Sequence, residues 1–232
     1  MSTACGRNKN AAKEVVETAK LSCEAVFFWK NYMSENKIVT LAEDAPLILD
    51  GGAALSKFKT AYTTYGTLNE KKNNAILVCH ALTGDQFVAS DHPITKKSGW
   101  WSMVVGPNKS IDTNKFFVIC PNVIGGCMGS TGPKEINPES KKEFATDFPV
   151  VTIADMVRAQ KLLIDYLKIE KIFCVTGGSM GGMLVLEWLS KFPEMVHSAI
   201  PIATATNHSA QNIALNELAR QSIMADPNWQ SG

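Results

Sequence analysis

A chain of 232 residues with 45% hydrophobic side chains is long enough to bury one large core. Its 23 Lys and Arg against 22 Asp and Glu leave it nearly neutral, so nothing in the charge balance points to nucleic acid or an anionic membrane surface. No apolar run approaches the roughly eighteen residues of a membrane span, and the six cysteines form no C-x-x-C pair, which argues against a metal or disulfide framework and for a reducing cytoplasm.

Residues 1–32 read as an amphipathic helix, with Val15, Val16, Ala19, Ala25, Val26 and Phe27 set among charges. Glu14, Glu17 and Glu24 interrupt its apolar patches and exclude a secretory signal. Met33-Ser34-Glu35 has the look of a natural start, and residues 1–44 are expected to be an N-terminal extension outside the core. From Ala45 the pattern sharpens. Pro46 to Leu49, the turn Asp50-Gly51-Gly52, and Phe58 to Tyr65 predict two strands joined by a turn. Ala75 to His80, Phe116 to Cys120, Lys171 to Thr176 and His197 to Ile202 are near-continuous apolar runs, as expected of strands buried on both faces. Thr152-Ile153-Ala154-Asp155 has the form of a capping box that opens a helix bearing Met156, Val157, Leu163, Ile164 and Leu167. Strands alternating with helices predict a mostly parallel sheet with helices on both faces, its functional loops at the carboxyl ends of the strands. A last helical stretch is expected over 211–224.

Within this frame Gly177-Gly178-Ser179-Met180-Gly181-Gly182 joins an apolar strand to a helix that Pro193 stops. Gly-x-Ser-x-Gly between strand and helix is the pattern of a nucleophile elbow, with Ser179 as the nucleophile. So sharp a reversal forces the serine into a sparsely populated backbone region. Side chains at Gly177 and Gly181 would collide across it. The competing reading, a phosphate-binding βα turn, lacks G-x-G-x-x-G and lacks Gly-Lys-Ser/Thr.

The loop His80-Ala81-Leu82-Thr83-Gly84-Asp85 follows the first buried strand. In sheets carrying such an elbow, this loop donates one N–H to the oxyanion and the residue after the nucleophile donates the other. Here those are the backbone amides of Leu82 and Met180. His80 precedes the nucleophile and caps a strand, so it is read as a loop brace.

These segments resemble a known family. The loop at 80–85, Gly99-Trp100-Trp101, Ile111-Asp112-Thr113, Asn122 to Pro133, Phe148 to Ile153, Asp155 to Gln160 and Gly177 to Met183 are similar to homoserine O-acetyltransferase, and the resemblance runs from about residue 45 to 232. It implies an α/β-hydrolase fold, an incomplete one here, with core residues 45–205 and the start of a helical lid at 206–232. It further implies acetyl transfer from acetyl-CoA to L-homoserine through an acyl-serine intermediate, on the way to methionine, in a cytoplasmic enzyme that is a homodimer at full length. Acetyl-CoA would be a co-substrate, with no permanently bound cofactor and no metal. The family's catalytic acid and histidine follow its last two strands, and none of Glu187, Glu194, Glu217, Asp226, His197 or His208 matches them. The chain is therefore expected to be the first part of such an enzyme, inactive and poorly soluble alone, with an unpaired edge at 197–202.

Other residues take quieter readings. Trp100 and Trp101 pack a loop, Arg220 packs in the lid, and Asp85 and Asp112 satisfy loop amides. The glycine-rich loop around Cys127, residues 125–132, is expected at the entrance to the site. Three alternatives stand beside acetyl transfer: succinyl-CoA as donor or serine as acceptor, a serine esterase on the same sheet, and a domain that has lost catalysis.

Overall fold

The computed structural model describes residues 36–137 and 140–229; the helix expected over 1–32 lies outside them, as does the start at Met33. Ten strands are present among the described residues: β1 (Lys37–Leu41), β2 (Leu47–Ile48), β3 (Ala54–Leu55), β4 (Phe58–Tyr65), β5 (Ala75–Cys79), β6 (Val105–Gly106), β7 (Ile111–Asp112), β8 (Phe117–Pro121), β9 (Cys174–Gly178) and β10 (Ala199–Ile202). Three α-helices accompany them: α1 (Ile153–Tyr166), α2 (Met180–Lys191) and α3 (Ala210–Met224).

Six of the strands form one sheet in the order β1-β4-β8-β5-β9-β10. β1 and β8 each pair antiparallel with β4, whereas β8, β5, β9 and β10 run parallel. Two expectations change here. Residues 37–41 pair with β4 in register from Lys37↔Tyr62 to Leu41↔Phe58, so the sheet begins inside the stretch 1–44 assigned to an extension. Nor does the run at 46–49 pair with Phe58 to Tyr65. β2 closes on β3 instead, and β4 enters the main sheet. Ala54 and Leu55 are too short a run to stand out, while the eight-residue run from Phe58, rich in Thr and Tyr, suffices to reach two neighbours.

β5, at the centre, is buried along its whole length, as a strand covered on both faces must be. Its side chains alternate. Leu77 and Cys79 join Ile119 and Val175 on one face, against Val157, Leu163 and Ile164 of α1 and Leu184, Val185 and Trp188 of α2. Ile76 and Val78 join Val118, Cys120 and Cys174 on the other, against Tyr65, Val88, Ala89 and Val105. Helical cover is predicted on both faces; among the described residues both packed helices lie on the first, and the second is covered by the irregular segment from Val88 to Val105. A loop can do this because its apolar side chains fill the face while its backbone bonds internally, for example Trp101 N–H to the Val88 carbonyl at 2.8 Å.

The start of α1 is fixed by charge. Thr152 accepts from the Asp155 amide at 3.1 Å and Asp155 accepts from the Thr152 amide at 2.9 Å, completing the capping box. Asp155 is fully buried and also accepts the Asp50 amide at 2.9 Å, while Arg158 joins both Asp50 and Asp155. The Thr152 hydroxyl and then Arg158 hold the Asp50 carboxyl below its ordinary range. The β2–β3 turn is thereby tied to the first turn of α1. Asp155→Ala should cost about 3 kcal/mol, because it leaves the amides of Asp50 and Thr152 without an acceptor and takes from Arg158 its buried partner, with only Asp50 remaining; chemical denaturation of the folded protein measures it.

Candidate active site

β9 ends at Gly178 and α2 begins at Met180, so Ser179 alone makes the corner, with φ 56° and ψ −119°. The corner is clamped on both sides. The Ser179 amide donates to the Ile202 carbonyl at 3.0 Å. Its carbonyl accepts from the Gly182 amide at 3.0 Å, the Met183 amide at 3.2 Å and the Thr204 hydroxyl at 2.9 Å. A conformation this strained, with a cost of about 1–3 kcal/mol, persists only when its surroundings over-determine it. The side chain is exposed, and its hydroxyl bonds to no described residue.

The glycines are needed, but the nearest obstacle at both is the end of β5 and not the other glycine. A Cβ on Gly177 would lie 2.5 Å from the Cys79 carbonyl oxygen and 2.8 Å from the backbone of Gly181. One on Gly181 would overlap that same carbonyl. Gly182, outside the motif, is also constrained: a Cβ there would come 2.6 Å from the Thr204 side chain.

Ser179 opens into a cleft of about 650 Å³, walled by Leu82, Met180 and Met183, by Val151 to Ile153 and Met156 at the start of α1, and by His208, Asn212, Leu215 and Asn216 on the approach to and along α3. The structure thus brings Ser179, Leu82 and Met180 to one cavity. Neither the Leu82 nor the Met180 amide donates to another described residue. The wall from Val151 to Met156 is absent from the sequence-level site. Its signals in the sequence are the capping box at Thr152, which marks a helix start, and the family-like segments Phe148 to Ile153 and Asp155 to Gln160.

The other candidates fall into place around it. His80 is 1% exposed. Its Nδ1 lies 2.8 Å from the Ala81 carbonyl and its Nε2 3.2 Å from the Val123 amide. Burial pushes its pKa below the ordinary histidine value. An unfolded chain binds a proton at His80 near pH 6.5 and the folded chain does not, so this stabilising term is fully present above that pH and is lost as pH falls below it. The unfolding free energy of wild type should therefore fall more steeply than that of His80→Asn as pH drops below about 6.5, as chemical denaturation at a series of pH values measures.

Asp85 accepts the Phe87 amide at 2.8 Å and pairs with His92 at 3.1 Å. Asp112 accepts the amides of Asn108 and Asn114, which, in that order, lower its pKa. Trp100 stacks on Trp101 at 5.5 Å and donates its indole N–H to the Asp85 carbonyl at 2.9 Å. After Ser179, Glu187 pairs with Lys191 and Glu217 with Arg220, while His197 stacks on Phe173. His208 reaches the cleft wall. The glycine-rich loop 125–132 lies elsewhere than expected. Thr131 and Ser130 bond to Lys59 and Ala61 of β4, and no residue of the loop lines the cleft. Its glycines serve close packing on a strand, as at Gly129, where a Cβ would meet Ala61 at 3.1 Å.

Cys127 is exposed, while Cys79 and Cys120 are buried. Burial pushes the Cys79 thiol up to about 12 and raises Cys120 as well. Thiolates are the reactive form, so mass-mapped alkylation of the native protein at pH 7.5 should label Cys127 and spare Cys79 and Cys120.

A sequence profile described as alpha/beta hydrolase fold matches residues 74–232. Over 195 residues the chain is 61% identical to a homoserine O-acetyltransferase of Mesorhizobium japonicum, covering 84% of this chain and 50% of that protein. Among solved structures it is similar to the homoserine O-acetyltransferase of Bacillus anthracis, with a TM-score of 0.79 at 33% identity over 86% of this chain and 54% of that one. It is equally similar to esterase E22, with a TM-score of 0.79 at 33% identity over 86% and 55% of the two chains. The chain spans about half the length of the curated relatives it matches. With its sheet order, its strained serine corner and this profile match, the chain belongs to the alpha/beta hydrolase fold family.

Proposed function

We propose that this chain carries the nucleophile half of an acyltransferase that moves an acetyl group from acetyl-CoA to the hydroxyl of L-homoserine. The observation that carries the reading is Ser179: an exposed hydroxyl on a strained, fully clamped corner, opening on a cleft that also holds Leu82 and Met180. The 61% identity to a homoserine O-acetyltransferase supports the choice of substrates. The acid and the histidine that the chemistry needs are expected in the half of the relatives' length that the match leaves uncovered.

In this reading a base takes the Ser179 proton, and Oγ attacks the thioester carbonyl. The charge that grows on the carbonyl oxygen meets the amides of Leu82 and Met180, each lowering the barrier by about 3 kcal/mol. The thiolate of CoA leaves with the proton; the homoserine hydroxyl, giving its proton to the same base, then attacks the acyl-serine carbonyl, and the acyl–Oγ bond breaks as Ser179 takes the proton back. A thioester is the more activated of the two esters, so transfer runs downhill. Water is the competitor, and the apolar walls (Val151, Ile153, Met156, Met183) oppose it.

A second reading, an esterase in which water is the acceptor, is favoured by the likeness to esterase E22. One experiment separates them. The full-length protein is mixed with acetyl-CoA, quenched and digested, and the Ser179 peptide is weighed. Acetyl transfer predicts an acetylated Ser179 that disappears faster when L-homoserine is added. An adduct whose loss ignores homoserine supports the esterase, and an adduct from succinyl-CoA alone changes the donor. No adduct at Ser179 from either thioester sinks the reading.

A further inference from the structure

The Leu82 amide sits on an exposed turn, yet an oxyanion donor is useful only if its direction is fixed before charge develops. Leu82 itself is 76% exposed, so packing does not fix it. The constraint lies at the other edge of the same peptide unit. The Ala81 carbonyl accepts the Gly84 amide at 2.9 Å, closing the turn, and lies 2.8 Å from His80 Nδ1. The Val123 N–H, 3.2 Å from Nε2, can only donate, so Nε2 is the acceptor and the ring proton sits on Nδ1, which donates to Ala81. A carbonyl oxygen has two lone pairs and takes both bonds. The peptide is planar and trans, so the Ala81 carbonyl and the Leu82 N–H point in opposite directions and can rotate only together.

We propose that His80 is a positioning residue, which aims the Leu82 amide into the Ser179 cleft by holding the opposite edge of its peptide plane. Any flip of the 81–82 unit that turned the amide away would break the His80 bond as well as the Gly84 bond. His80 can resist such a flip because it does not move itself. It is buried, its Nε2 is held by Val123, and the Asn122 side-chain amide stands 3.4 Å away. The role exceeds loop bracing, since it ties one side chain to the direction of one donor. It rests on the acyl-enzyme reading given above.

The test compares wild type, His80→Asn and His80→Gln in the full-length protein, reading the burst of CoA thiol that accompanies acylation of Ser179. Asparagine keeps an N–H donor close to where Nδ1 stands and gives up the Val123 contact. Glutamine reaches toward Val123 and gives up the donor to Ala81. The expected result is an acylation rate about 100-fold lower in His80→Gln, approaching the worth of one oxyanion donor, with the acetyl-CoA KM within about threefold of wild type and the His80→Asn rate within about tenfold. The proposal is overturned if both variants slow alike, if neither slows, or if the loss falls on KM instead of the rate. Should His80→Gln fail to fold, His80→Ala, which also removes the donor to Ala81, takes its place: a folded protein acylating about 100-fold more slowly while His80→Asn stays within about tenfold of wild type supports the proposal, and equal rates in the two overturn it. A wild-type protein that forms no acyl-Ser179 overturns the underlying reading too, and is seen before any variant is made.

Discussion

Ser179→Ala should lower acyl transfer by the full-length protein about 10⁴- to 10⁶-fold without unfolding it. The hydroxyl bonds to no described residue, so its removal strands no partner and stability should change by less than about 0.5 kcal/mol. Ser179→Gly sharpens the test. At φ 56° a side chain is strained and glycine is not, so the glycine variant should be as inactive as alanine but more stable by about 1 kcal/mol. Stability that rises as activity vanishes is the mark of strain kept for function. Transfer above a tenth of wild type in either variant would remove Ser179 from the chemistry.

Gly181→Ala carries the second large effect, this time on folding. The new methyl would overlap the Cys79 carbonyl and stand 3.0 Å from the His80 carbonyl. Both are backbone atoms at the end of the central strand, so no rotamer change relieves the contact. We expect a loss of about 3 kcal/mol or more, read as a lower thermal midpoint and lower soluble yield. Gly178→Ala is the internal control. Its nearest atom would be the Ile202 carbonyl at 3.9 Å, and its φ is not positive, so its stability should stay within about 0.5 kcal/mol of wild type. Equal tolerance at 178 and 181 would mean that the elbow does not press against β5 as described.

The elements that could be read early were those in which the chain itself carried the constraint. Ala75 to Cys79 is apolar at every position because both faces are buried, and Thr152 with Asp155 marks a helix start because both halves of the cap lie within four residues. The elbow was legible because its Gly-x-Ser-x-Gly spacing is local, although the atoms that demand the glycines are chiefly those of the Cys79 carbonyl on β5. β1 was hidden because Lys37 to Leu41 is an edge strand, mostly exposed, whose only pattern is its pairing with β4. In the loop 125–132, abundant glycine marks close approach without saying to what; in the folded protein it approaches β4.

By itself, then, the sequence determined the serine corner, the central strands and the α1 cap, each marked by a pattern of residues close in the chain. Only the tertiary structure decided which walls meet that serine. Val151 to Met156 lie more than twenty residues before it and Leu82 almost a hundred, and they converge because β5 and β9 are parallel neighbours whose carboxyl ends share one edge of the sheet. The direction of the Leu82 amide belongs to the same class: it depends on a histidine held by Val123, forty-three residues away, and no local pattern encodes a bond between strands that meet only on folding.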